Sequence, residues 1–156
     1  MDGLELTGKM EEELHFDAPR RFDIELFIVH PTMTPAEISA MLKMEPQIAH
    51  GIGEQRLTPK DTILEGEYPD TRWRYSVRYQ TGGQHFSDKL ETFVEQLSPL
   101  KPAFAHLRST GGSAEVILQF LGDGYFGDTV PARILALMAE LQLDLGIECF
   151  IVPQSS

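Results

Sequence analysis

The stretch RWRYSVRYQ, residues 72–80, alternates between two kinds of side chain. Trp73, Tyr75, Val77 and Tyr79 fall on one side, whereas the arginines and the other polar residues fall on the opposite side. Successive side chains of a β-strand point to opposite faces, so this period of two predicts a strand with an apolar and a basic face. It is the main concentration of positive charge in a chain of formal net charge -11. The function of this strand depends on which residues neighbour it.

Two strands, a helix and a long connection are predicted in the sequence before this strand. Residues 22–30 alternate in the same way and predict a strand that is at least half buried. Thr34 and Glu37 have the spacing of a capping box, which predicts a helix that ends before Pro46. We then expect one short strand within residues 49–57. Residues 58–71 are polar and interrupted by proline and glycine, which predicts a long connection without regular structure.

Further helices and strands are predicted after the arginine strand. Apolar residues at helical spacing predict a helix from about residue 86, after a Gly82-Gly83 turn. Prolines interrupt this helix, so a kinked continuation or a second short helix follows it. The remaining predicted elements are the strand 114–121, the helix 131–141 and the final strand 147–152.

The order of these elements, β-α-β-β-α-β-α-β, predicts an α+β fold. The first six elements match the split βαβ arrangement of ferredoxin-like domains, and one α-β unit is added at the C-terminus. A largely antiparallel sheet with its helices on one face follows. In such a sheet the third strand pairs with the first, so Arg72, Arg74 and Arg78 would face Asp23 and Glu25. Cross-strand pairs of opposite charge contribute roughly 0.2–1 kcal/mol each, which predicts a self-neutralised face.

Length and charge limit the classes of function. A chain of 156 residues fits one domain, which we place at residues 21–156 behind an acidic arm at residues 1–20. A net charge of -11 repels phosphate backbones and anionic membranes, so an exposed RNA-binding sheet is the weaker hypothesis and no nucleic acid or membrane partner is expected. The sequence has no membrane-length apolar run and no signal peptide, which predicts a cytoplasmic protein. The single cysteine, Cys149, lies in an apolar run and is expected to be buried.

Catalytic, metal and cofactor motifs are weak in this sequence. The histidines are scattered, without the close spacing of metal ligands. Residues 122–127 match G-x-G-x-x-G, but bulky residues fill the turn and too little chain follows for a dinucleotide-binding sheet. We therefore expect no metal and no cofactor, and an enzyme is the third hypothesis, behind a protein-interaction module and a small-molecule-binding domain.

The positions of several short motifs suggest a known family. A helix that ends before Pro46, the pair Gly53-Glu54, and Trp73 at the start of a strand follow an early strand. In this combination the chain resembles the bacterial domain-of-unknown-function family 4279. The resemblance covers residues 22–152. The family has no assigned reaction, so the resemblance implies a fold and leaves the function open.

Four residues are candidates for a binding site: Glu54, Trp73, Arg74 and Arg78. Glu54 could be presented by a tight loop beside an aromatic wall formed by Trp73. Alternatively, Glu54 holds backbone amides and Trp73 fills the core. The sequence predicts a non-catalytic, acidic protein-interaction module, immunity-like or adaptor-like, for a basic protein partner. The alternative is a small-molecule-binding regulatory domain, with a pocket between residues 45–72 and the sheet near Trp73. The oligomeric state is left open.

Overall fold

The computed structural model describes residues 21–80, 85–122 and 126–150. The strands are β1 (Arg21–His30), β2 (Ile48–His50), β3 (Gln55–Leu57), β4 (Ile63–Glu67), β5 (Thr71–Tyr79), β6 (Ser113–Leu121) and β7 (Asp144–Phe150). The α-helices are α1 (Pro35–Leu42), α2 (Phe86–Leu97), α3 (Lys101–Ser109) and α4 (Ala132–Glu140). A 3₁₀ turn, Ser98–Leu100, joins α2 to α3. The prolines therefore produce a second short helix rather than a kinked continuation of the first.

Within the described residues, a five-stranded sheet in the order β2-β5-β1-β6-β7 forms the centre of the fold. β1 pairs antiparallel with both β5 and β6, and β2 pairs antiparallel with β5. β7 is added in parallel to β6 after helix α4. The structure is thus a mixed α+β domain with a mostly antiparallel sheet, as the sequence predicts.

The helices pack on one face of this sheet. Phe22, Ile24, Leu26 and Ile28 of β1 have no exposed surface, and they share one core cluster with the buried residues of all four helices described above. The predicted capping box starts α1: the Thr34 N–H donates to Glu37 Oε2 at 3.0 Å, and the Glu37 N–H donates to Thr34 Oγ1 at 3.2 Å. The other face of the sheet is free of helices in the described part of the chain.

The segment between α1 and β5 differs from its prediction. The single strand expected within residues 49–57 is two strands: β2 lies at the edge of the main sheet, while β3 belongs to a separate hairpin with β4. The predicted irregular connection 58–71 is also wrong, because it contains β4. Every residue of β3 and β4 is exposed. A hairpin that buries neither face has no apolar period by which the sequence could reveal it.

The outer strand β7 also differs in detail. It runs from Asp144 to Phe150, so it begins three residues before the predicted start at residue 147, and the last predicted positions lie outside the described residues. Cys149 is exposed, which contradicts its predicted burial. The acidic arm 1–20 and the Gly82-Gly83 turn also lie outside the described residues. No helix among the described residues is long and apolar enough to cross a membrane.

Candidate functional site

The helix-free face of the sheet carries ion pairs between β5 and β1. Arg78 binds Asp23 with two hydrogen bonds, Nε to Oδ1 at 2.9 Å and Nη2 to Oδ2 at 3.0 Å. These bonds, and the negative charge of Asp23, raise the pKa of Arg78. Arg74 donates to Glu25 Oε1. The predicted neutralisation of these two arginines by the first strand is therefore confirmed.

Arg74 is held by more than its ion pair. Its guanidinium carbon lies 3.8 Å from the centre of the Phe27 ring, a cation–π arrangement. The other oxygen of its partner Glu25 accepts from the Ser76 hydroxyl at 3.1 Å. The Glu25 side chain is only 8% exposed. This cluster fixes Arg74 in place at the middle of the sheet.

A cleft of about 640 Å³ opens beside these arginines, between the β3–β4 hairpin and the end of the main sheet. We call it the arginine cleft. Its lining consists of three arginines, two rings and three other side chains: Arg56, Arg72, Arg74, His50, Tyr68, Ile48, Glu67 and Pro69. β5 supplies Arg72 and Arg74, β2 supplies Ile48 and His50, and β3 supplies Arg56. Its volume falls in the range that small-molecule sites usually have.

One wall of the arginine cleft is a stacked pair of rings. The centroids of His50 and Tyr68 lie 4.4 Å apart with an interplanar angle of 22°. Backbone hydrogen bonds hold Tyr68 there, because its carbonyl accepts from the Gly53 N–H at 3.0 Å and its N–H donates to the Glu54 carbonyl at 2.9 Å. The cleft therefore combines a flat aromatic wall with cationic groups.

The three arginines of the cleft differ in how they are neutralised. Arg72 donates from Nε to Asp70 at 3.1 Å, so its partner is a loop residue and the predicted pairing with Asp23 or Glu25 is wrong for this arginine. Arg74 is paired with Glu25. Arg56 donates only to the carbonyl of Glu65 at 3.5 Å, and it forms no ion pair with any described residue. Arg56 is the cation whose charge is available to a ligand.

Glu54 has a structural role in this geometry. Its carboxylate accepts from the Gly51 N–H at 2.9 Å and so closes the turn between β2 and β3. A Cβ atom at position 51 would lie 2.5 Å from Glu54 Oε1, the end of a flexible side chain. Glu54 does not line the arginine cleft. Of the two roles open to it from the sequence, the structure shows the one that holds backbone amides.

Trp73 also lies away from the cleft. It has no exposed surface and packs in the core, where its indole N–H donates to Ser39 Oγ at 3.0 Å. Because adjacent residues of β5 point to opposite faces, Arg72 and Arg74 reach the cleft while Trp73 faces the helices. The expected pocket between residues 45–72 and the sheet therefore exists beside the arginines and not beside Trp73.

Of the four candidates from the sequence, only Arg74 lines the cleft, while Arg78 lies farther along the sheet, paired with Asp23. His50, Arg56 and Tyr68 are not among the site residues predicted from the sequence. Arg72 could have been added from its spacing of two residues from Arg74 on one strand face. Arg56 and Tyr68 had no such signal, since the undetected hairpin brings them to the site, and His50 lies on the edge strand β2, opposite Arg72.

The groups that line the cleft include guanidinium groups, aromatic rings and one carboxylate. The described residues contain no group of three or more histidine, cysteine or acidic side chains that could hold a metal ion. Guanidinium groups are strong, bidentate partners for carboxylates and phosphates. The flat wall of His50 and Tyr68 can stack on a planar group. The arrangement can hold an anion and orient a ring attached to it.

The fold and this face define a class of protein: an α+β domain with a mostly antiparallel sheet, helices on one face and an arginine cleft at the edge of the other. Residues 20–149 match the family model described as Domain of unknown function (DUF4279). The chain belongs to this family, as its short motifs indicated. No curated protein and no solved structure matches the chain.

Proposed function

We propose that this protein is a non-catalytic binding module whose arginine cleft takes a small anionic molecule that carries a planar group. The observation that carries the proposal is Arg56, a cation without an ion-pair partner among the described residues, in a cleft that Arg72 also lines. A guanidinium without an ion-pair partner can bind a carboxylate or a phosphate with two hydrogen bonds. A carboxylate or a phosphate ester would complete the charge pairing.

The exposure of Arg72 and the ring wall of the cleft support the same proposal. Arg72 has a side chain that is 50% exposed, so its outer N–H groups remain available while Nε binds Asp70. The ring pair of His50 and Tyr68 stands on the same cleft wall and would contact the planar part of the ligand. The net charge of -11 does not prevent this, because exposed charges farther from the cleft than a Debye length, about 10 Å at 0.1 M salt, are largely screened.

Phenyl phosphate is the probe for this proposal. Inorganic phosphate tests the anionic group by itself, and benzyl alcohol tests the aromatic ring by itself. We expect isothermal titration calorimetry to show binding of phenyl phosphate, weaker binding of phosphate and none of benzyl alcohol. The double variant Arg56→Met/Arg72→Met should lose the binding. Tyr68→Leu should reduce the affinity for phenyl phosphate toward that for phosphate, since it removes half of the ring wall.

Arg133→Met is the matched control, because Arg133 is also an exposed arginine but binds Glu91 on a distant helix surface. It should bind phenyl phosphate like the parent protein. Absence of binding of both phenyl phosphate and inorganic phosphate at millimolar concentration would contradict the proposal, as would an equal loss of binding in the Arg133 control.

We also propose, as a second candidate, that the chain is an acidic interaction module for a basic protein, in an immunity-like or adaptor-like role. The net charge of -11 supports this, together with the apolar and acidic side chains exposed on β7. A partner that copurifies from the native cell at low salt and is released at high salt would support it. A cytoplasmic location remains a prediction from the sequence.

We propose a ferredoxin-like description for the core of the fold. In its support, β1 and β2 run in the same direction with β5 between them, and β5 and β6 run in the same direction with β1 between them. Helix α1 makes the first connection and helices α2 and α3 make the second. This is the strand order of a split βαβ domain, with the β3–β4 hairpin inserted and β7 added.

A further inference from the structure

The strand β7 ends the main sheet on the side opposite the arginine cleft. It pairs with β6 along one edge over seven residues, Asp144 to Phe150, and no described strand pairs with its other edge. An unpaired edge offers a row of backbone N–H and C=O groups to an added strand. The opposite edge strand, β2, is only three residues long. β7 is therefore the more extensive open edge of the described sheet.

The side chains of β7 have two different faces. Leu145, Ile147 and Cys149 lie opposite buried residues of β6 on the helix side, yet they remain exposed, with Ile147 64% exposed. Asp144 and Glu148 point to the helix-free face. The edge thus displays an apolar row on one face and, on the other, an acidic row of Asp144 and Glu148 that ends at the exposed Phe150.

The acidic row continues onto β6. Glu115 lies opposite Asp144 in the register, and its carboxylate occupies the space over Gly146. Burial raises the pKa of Glu115, and the negative charges of Asp144 and Glu148 raise it further. Arg108 lies 3.0 Å from the Asp144 carboxylate, so its positive charge partly offsets the negative charge of this group of acidic residues. The helix-free face beside β7 is therefore a region of negative potential.

We infer that β7 is a docking edge for an extended segment of a basic protein, in which basic and apolar side chains alternate. Such a segment would add a strand to the sheet, place its apolar side chains beside Leu145 and Ile147, and place its basic side chains beside Glu148 and Asp144. Backbone hydrogen bonds would supply affinity and the two rows would supply specificity. This inference rests on the second proposed function, the interaction module, and gives it a surface and a class of partner.

A second copy of this chain fits the edge less well. Two copies would each bring a net charge of -11 and an acidic row to the same interface. Like charges across adjacent strands are destabilising. A basic segment removes that repulsion, so charge complementarity selects it over self-association.

Two nine-residue peptides of equal composition test the inference. The first, KVKVKVKVK, alternates its lysines and valines as the edge requires, whereas KKVVKKVVK cannot separate them onto two strand faces. Fluorescence anisotropy of labelled peptides measures affinity at low salt. Protection of Cys149 from alkylation by iodoacetamide reports whether the peptide occupies β7, because this exposed thiol lies within the strand.

Single substitutions locate the binding on the strand. We expect Ile147→Lys to weaken binding of the alternating peptide by about tenfold or more, and Glu148→Gln by about threefold. Ile63→Lys is the matched control for the first, since Ile63 is 66% exposed on β4 while Ile147 is 64% exposed on β7. Glu140→Gln, an exposed acid at the end of α4, is the control for the second. Both controls should bind like the parent protein.

Each outcome has a distinct meaning. Preference for the alternating peptide, with Cys149 protected and both β7 variants weakened, establishes the docking edge. Equal binding of both peptides with Cys149 unprotected overturns the docking edge but leaves the interaction module standing. Binding of neither peptide overturns the inference and also counts against a basic partner. A dimer in sedimentation analysis, with Cys149 protected without peptide, overturns it in favour of a second copy.

Discussion

Arg74 and Arg56 line the same cleft but contribute differently to stability. Arg74 neutralises Glu25, whose side chain is 8% exposed, so Arg74→Met would leave a nearly buried carboxylate without its cation. We expect the free energy of unfolding to fall by about 1–3 kcal/mol. Arg56→Met removes no partner of a buried group, so its effect should stay within about 0.5 kcal/mol. Urea unfolding followed by Trp73 fluorescence measures both, and equal losses would contradict this division of roles.

A buried histidine should make the stability depend on pH. The His30 ring has no exposed surface, and its Nδ1 atom accepts N–H bonds from Thr32 at 3.0 Å and Met33 at 2.9 Å. Its Nε2 atom lies 2.7 Å from Thr110 Oγ1, so the hydrogen bonds place the proton of the neutral ring on Nε2. Burial, and to a lesser degree the charge of His106, lowers the pKa of His30 below its ordinary value of 6.5.

The sign of the effect follows from this lowered pKa. As pH falls through 6.5, the unfolded chain binds a proton at His30 that the folded chain does not bind. The contribution of His30 to the free energy of unfolding should therefore have its full value above that pH. It should decrease as the pH falls below 6.5 and level off below the lower folded-state pKa. Urea titrations at about pH 7.5 and pH 5.5 measure the difference. His30→Gln should reduce this dependence, whereas His85→Gln, at an exposed histidine, should retain it.

At the scale of secondary structure, the turn from α3 to β6 approaches β1 closely at Gly112. A Cβ atom there would lie 2.9 Å from the carbonyl oxygen of Leu107 and 3.1 Å from that of Val29, both of which are backbone atoms. We expect Gly112→Ala to lower the free energy of unfolding by about 1–3 kcal/mol, because the strand must shift. Gly51→Ala is the control, since its Cβ would meet only the end of the Glu54 side chain. A loss in Gly51→Ala as large as in Gly112→Ala would contradict the argument.

The β3–β4 hairpin should be separable from the stability of the sheet. Every residue of its two strands is exposed, and it pairs with no strand of the main sheet in the described residues. Replacing residues 56–66 with a Gly-Ser linker should change the free energy of unfolding by no more than about 1 kcal/mol. It should also abolish phenyl phosphate binding, since Arg56 is removed. Circular dichroism on heating tests the stability of the linker variant, and titration calorimetry tests its phenyl phosphate binding. Loss of cooperative unfolding would contradict the expectation that the sheet is stable without the hairpin.

The sequence predicted the sheet better than the site. The alternation of β1 and β5 is strong because each strand has one buried face, and it predicts that Arg74 and Arg78 face Asp23 and Glu25, as they do. The hairpin has both faces in solvent, so its residues follow no apolar period. Because the hairpin brings Arg56 to the cleft, the cleft could not be assembled from the sequence.

At the scale of the whole molecule, charge is distributed unevenly across the helix-free face. The cleft arginines lie at the β2–β5 side, while Glu115, Asp144 and Glu148 lie at the β6–β7 side. A protein of net charge -11 thus keeps a basic site at one end of its sheet and an acidic edge at the other. If both proposals hold, one domain binds an anion and a basic segment at separate sites.

The two effects of salt on this molecule should be distinguishable by thermal unfolding. Sodium chloride screens the repulsion of a chain with net charge -11, so raising its concentration should raise the melting temperature in the parent and in the cleft variants. Phosphate at equal ionic strength should raise it further in the parent, because a ligand that binds only the folded state stabilises it by RT ln(1 + [L]/Kd). Arg56→Met/Arg72→Met should lose the excess stabilisation by phosphate and keep the response to chloride, while Arg133→Met keeps both. An excess that persists in the double cleft variant would place the anion site elsewhere on the protein.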